Sequence, residues 1–229
     1  MLLRVIGGLA VKLHCPSAGH RSLERAYPDI DFVTDKPGAQ QLASLLPALG
    51  YAPNKTFNTL SGDRRQLFYD EPRGRQIDVF IGEFDMCHKL PLSTRLGVEP
   101  LTVPLAELFL SKAQIVQLNR KDVLDLLALL LDHPVAAGDR ETINREVLAG
   151  LCGRDWGLFT TVSLTLGTLE GVLSRDEVAL DDGQQRTVQE RLAAVRSAIE
   201  AAPKSTGWKL RAKVGRRVRW YQEVEEVRR

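Results

Sequence analysis

The hydrophobic period of this chain changes near Pro104, and that change constrains the fold more than any single motif does. Upstream, the apolar runs have strand length: Leu2–Ile6, Ile30–Val33, Gln66–Tyr69 and Gln76–Ile81, the last two joined by a turn around Pro72 and Gly74. Helical stretches lie between them, one after Gly7-Gly8 and one over Gln40–Leu49 that Gly50 closes, while residues 14–28, with Pro16, Gly19 and Pro28, read as a loop. Downstream, Leu105, Leu108, Phe109, Ile115 and Val116, then Val123, Leu124, Leu127, Leu130 and Leu131, recur at helical spacing, and residues 139–201 carry helical patterns only. This order predicts an α/β (α+β) part with a small mixed sheet over residues 1–103 and a helical region over 104–202. Leu2–Ile6 stands so close to Met1 that either it is an edge strand or an upstream helix has been lost from the sequence.

A chain of 229 residues, 44% apolar and 26% charged, is too apolar for a disordered tail protein and too mixed for a coiled coil or a collagen. It suffices for one domain, or for a core with a small helical second domain. No run approaches the roughly 18 apolar residues of a membrane span, and Met1-Leu2-Leu3-Arg4 leads into Gly7-Gly8 without a secretory pattern, so a cytoplasmic protein without membrane contact is expected. Cys15, Cys87 and Cys152 are scattered and odd in number, which predicts reduced thiols. His14, His20, His88 and His133 share no ligand spacing with them. Residues 203–229 form a basic tail with nine Lys or Arg against three Glu, which leaves residues 1–202 mildly acidic.

Asp29 and Asp31, two apart in a strand, point to one face, and Asp78 sits inside another apolar run between Ile77 and Val79. Carboxylates converging from neighbouring strands repel one another, and a divalent cation held by hard oxygen donors, magnesium rather than zinc, relieves this. Asp63, Asp70 and Glu83 are alternative third carboxylates. Gly7-Gly8, between strand and helix, lets backbone N–H groups approach a phosphate.

Ile6-Gly7-Gly8-Leu9-Ala10, Arg25 ahead of Asp29-Ile30-Asp31, Ile77-Asp78-Val79, Leu108-Phe109-Leu110-Ser111-Lys112 and Arg120-Lys121-Asp122-Val123-Leu124-Asp125-Leu126 together resemble the DNA polymerase beta-like nucleotidyltransferase superfamily. Within it they resemble the small bacterial branch of aminoglycoside nucleotidyltransferases and AbiEii-type toxins, over roughly residues 3–132. Tyr27-Pro28 and a long stretch from Gly8 to Asp29 depart from the pattern. The resemblance implies a nucleotidyltransferase core that moves a nucleoside monophosphate from an NTP to a hydroxyl of a small molecule, a tRNA or a protein. Asp29, Asp31 and Asp78 would hold Mg2+, with Asp78 also taking the acceptor proton. Gly7, Gly8, Arg25 and Lys112 would bind the nucleotide, Arg25 on phosphate or bracing the aspartate pair. A catalytically silent relative acting as a binding or toxin–antitoxin protein is the alternative.

Plainer roles stand beside these. Lys112 can be a lysine whose stem lies on a buried helix, Asn119 and Asp122 can open a helix as cap and first-turn acid, and Asp125 can orient a neighbour or touch ligand. Trp208, Trp220 and Tyr221 among the basic residues of the tail fit either RNA contact or packing back onto the helical region.

Overall fold

A computed structural model of the chain describes residues 1–224. Its α/β part runs β1 (Leu3–Ile6), α1 (Gly7–His14), β2 (Asp29–Thr34), α2 (Lys36–Ala48), β3 (Ala52–Pro53), α3 (Lys55–Ser61), β4 (Arg65–Asp70), β5 (Arg75–Ile81), β6 (Glu83–Asp85) and β7 (Lys89–Pro91). There follow α4 (Leu105–Ala113), α5 (Arg120–Asp132), β8 (Val135–Ala136), β9 (Ile143–Asn144), α6 (Arg145–Arg154), α7 (Trp156–Ser174), α8 (Asp182–Ala201) and α9 (Thr206–Val214). No helix among the described residues is long and apolar enough to cross a membrane.

The main sheet is mixed, in the order β1-β2-β5-β4-β3, so β1 is an edge strand. The β2–β5 pair is parallel and the other pairs are antiparallel. Because side chains alternate along a strand, each strand serves two layers. Ile77 and Val79 of β5 and Phe68 of β4 pack with Leu42 and Leu46 of α2. Val33 of β2 and Phe80 of β5 instead join the large core under α1, α4 and α5. Asp31 and Asp78 belong by alternation to this second face, turned toward the helical region.

One continuous apolar core runs from Val5 and Ile6 through Leu108, Phe109 and Leu126 to Val195 and Ile199. The α/β and helical parts therefore share a core, and α4, fully buried at Leu108, Phe109 and Leu110, is its axis.

Several local expectations change. Helix α1 begins at Gly7 itself, so the glycine pair is the helix's first turn rather than a turn ahead of it. Helix α2 starts at Lys36, because Asp35 caps it by accepting from Gly38 N and Pro37 suits the first turn. Residues 139–201 are not purely helical, since β9 pairs in parallel with β8.

Candidate functional site

Asp31 and Asp78 are register partners in the parallel β2–β5 pair. Asp78 is buried, and both of its oxygens are engaged: Oδ1 accepts from Arg65 Nε at 2.6 Å and Oδ2 from Gln76 Nε2 at 2.8 Å. No hydrogen bond or ion pair ties the Asp31 carboxylate to another of the described residues. Burial first and the Asp78 charge second push its carboxyl up to about 7. Asp29 lies at the exposed start of β2, opposite Gln76. Among the described residues no three His, Cys, Asp or Glu side chains form a group able to hold a metal. The expected three-carboxylate cluster is thus reduced to a pair. Asp63 is exposed and Asp70 pairs with Arg73, so Asp78 is the acid that β5 brings beside Asp31.

The glycines serve these side chains directly. A Cβ on Gly7, whose φ is +72°, would lie 2.2 Å from Asp31 Oδ2, and a Cβ on Gly8 would lie 1.9 Å from Arg25 Nη2. The expected phosphate cradle is occupied on this side by the chain's own carboxylate and guanidinium.

Arg25 braces neither Asp29 nor Asp31. Its Nε and Nη2 donate to Asp125 Oδ1 and Oδ2 at 2.7 and 2.6 Å, a two-point pair that is buried, with the Tyr27 ring 4.1 Å from the guanidinium. Asp125 also meets Lys112 Nζ at 3.0 Å, and Asp122 meets the same ammonium at 3.1 Å. Burial opposes the charge on Lys112, but Asp125 and Asp122 outweigh it and hold the ammonium above the usual lysine range, with Asp31 adding to them. Lys112 is therefore neither a bare anion receptor nor a snorkelling surface lysine. Asn119 caps α5 by accepting from Asp122 N, so Asp122 is at once a first-turn acid and a partner of Lys112.

Asp31, Lys112, Asn119 and Asp122 line two openings. One is a cavity of about 590 Å3 whose other walls include Arg65, Phe80, Phe84, Cys87 and Tyr221–Val224. The other is a cleft of about 130 Å3 beside Gly8, Arg25, Tyr27 and Asp29. The tail reaches the large cavity because Trp220 Nε1 donates to Thr161 Oγ1 at 3.0 Å and Gln222 N donates to Cys87 O at 2.9 Å. Trp208 packs edge-on against Phe159. The tail aromatics thus pack back on the helical region, and Glu225, Glu226, Arg228 and Arg229 lie outside the described residues.

The donor chemistry suits a hard cation. The Asp31 carboxylate has no hydrogen-bond or ion-pair partner among the described residues and is repelled by Asp78, and magnesium takes one or two carboxylates, completing its shell with phosphate oxygens and water rather than an all-protein cage.

Sequence reasoning did not anticipate Arg65, Gln76 or Tyr221–Val224. Arg65 had a signal, because counting back from the Pro72–Gly74 turn sets it opposite Phe80, two residues along the ladder from Asp78 and on the same face. Compared with models of known protein families, with curated proteins and with solved structures, the chain matches none of them.

Proposed function

We propose that this chain is a magnesium-dependent nucleotidyltransferase, moving a nucleoside monophosphate from an NTP to a hydroxyl of a small molecule, a tRNA or a protein. The observation that carries the reading is the Asp31–Asp78 pair, in register on adjacent parallel strands, of which Asp31 lines one cavity together with Lys112. In the reaction the acceptor oxygen bonds to the α-phosphorus, the bond to the β-phosphate oxygen breaks, and pyrophosphate leaves. In this reading Asp78 would take the acceptor proton, and Lys112 would face the leaving group. Magnesium would be held by Asp31 and Asp78 and, when bound, would neutralise phosphate charge. Lys209, Lys213, Arg216 and Arg217 are exposed and would supply any RNA contact.

One observation favours the silent, toxin–antitoxin-like reading instead: Asp78 and Lys112 are already satisfied by protein partners. Incubation with each labelled NTP, magnesium and a cell extract separates the two. Labelled product from wild type that Asp31→Ala does not make supports transfer. Its absence with all four NTPs favours the silent protein.

A further inference from the structure

Two cations among the described residues line the large cavity, and they are committed to different degrees. Lys112 spends its ammonium on Asp122 and Asp125. Arg65 spends one N–H: its Nε donates to Asp78, while Nη1 and Nη2 make no hydrogen bond or ion pair among the described residues. A guanidinium carries its donors in a rigid planar fork, so most of the fork is unused. Two aromatic rings lie near it, with the Phe80 ring centroid 4.9 Å and the Phe57 centroid 5.8 Å from the guanidinium carbon. The side chain is 20% exposed, sheltered from bulk water while lining the cavity.

A polyanion entering here meets Asp31 and Asp122 on the walls, with Asp78 behind. Lys112, neutralised by two acids, offsets little of that charge. A second cation with free donors is needed, and a planar fork matches phosphate oxygens at two points where an ammonium cannot. We propose that Arg65 is a phosphate-binding residue of this cavity: its Nε fixes Asp78, and its two η nitrogens receive the phosphate chain of the nucleotide beside Asp31 and Lys112. The inference rests on the nucleotide-transfer reading and names one of its binding residues.

The test is calorimetric binding of inorganic tripolyphosphate to the full chain, in EDTA and again in magnesium, for wild type, Arg65→Gln, Arg65→Lys and Asp78→Asn. In EDTA, Arg65→Gln should bind about 10- to 100-fold more weakly, the worth of one or two charge-assisted hydrogen bonds. Arg65→Lys should fall between it and wild type. In EDTA, where no metal depends on it, Asp78→Asn should bind as well as wild type or better, because it removes a negative charge and releases the fork. That opposite response distinguishes phosphate binding from a role only as prop to Asp78, and equal losses in Arg65→Gln and Asp78→Asn would overturn the proposal. Wild-type affinity in Arg65→Gln would overturn it too, leaving nucleotide binding to Lys112. Failure of wild type to bind tripolyphosphate in either buffer would overturn the nucleotide reading and this proposal together. Thermal melting checks that each variant folds, and if Arg65→Gln does not, Arg65→Lys decides: wild-type affinity there overturns the role of the fork.

Discussion

Two glycines set where the charged side chains of the site can lie. Gly8 has no positive φ, so its need to be glycine is the Arg25 guanidinium alone. Gly8→Ala should therefore cost about 2 kcal/mol by overpacking. Arg25→Ala, which leaves buried Asp125 with only Lys112, should cost about 3 kcal/mol. In the double variant the alanine at position 8 no longer meets the guanidinium and should add almost no cost. Urea unfolding of the four proteins measures the coupling, and additive losses would show that Arg25 is not what excludes a side chain at position 8. Asp31 supplies a pH signature. Its folded-state carboxyl is raised to about 7 from an ordinary value near 3.8, so the folded chain binds the proton more tightly than the unfolded chain does. The associated stability is present below pH 4 and is lost as pH rises toward 7, by up to about 4 kcal/mol at about 1.36 kcal/mol per unit, less where water reaches the group. Asp31→Asn should match wild type near pH 4 and be the more stable protein at pH 8 in metal-free buffer. Magnesium should stabilise wild type at pH 8 and leave Asp31→Asn nearly unchanged, as melting curves would record.

At the scale of elements, the caps join fold to site. Asn119 holds the first turn of α5 through Asp122 N, and that turn carries the acid that meets Lys112. Asn119→Ala should lower stability by about 1 kcal/mol, whereas Asn119→Ser or Asn119→Asp should retain most of it in chemical denaturation. An equal loss in all three would mean that the amide serves something other than the cap. Strands β2 and β5 could be read from the sequence because aspartates inside apolar runs leave few alternatives, and α4 and α5 because their apolar stripes are long. Helix α3 could not. Its Lys55-Thr56-Phe57-Asn58 opening has no apolar stripe, none of its residues is buried, and Asn54 caps it locally. The β6–β7 hairpin is short and half charged, with Glu83, Asp85 and Lys89 in it. Within the site, the sequence showed the carboxylates and Lys112. It did not show which cation pairs with which acid, because the Arg25–Asp125 and Lys112–Asp125 contacts are fixed by packing between residues far apart in the chain.

At the scale of the whole molecule, the last described residues close a cavity that the first residues open. Gly7 and Asp31 line one side, and Tyr221–Val224 line another. The tail is seated by Trp220 on α7, where Thr161 Oγ1 accepts from the indole and also meets His88 Nε2 at 2.8 Å. A Cβ at Gly157 would lie 2.6 Å from Trp220 O, so a side chain there would lift the tail. Cys87 reports on this seating, because it lines the cavity and its carbonyl accepts from Gln222 N. The other thiols are poor competitors for a reagent: burial pushes both Cys15 and Cys152 up, Cys152 to about 12, and neither lines the cavity. Trp220→Ala should release the tail through a local opening without unfolding the core. Cys87 should then react several-fold faster with a maleimide in native buffer, located by mass spectrometry of the labelled peptide, while melting changes little. Gly157→Val should do the same by a different route. Wild-type labelling rates in both variants would mean that the cavity wall at Cys87 stands without the tail, and that residues 220–224 do not control entry to the Asp31 side.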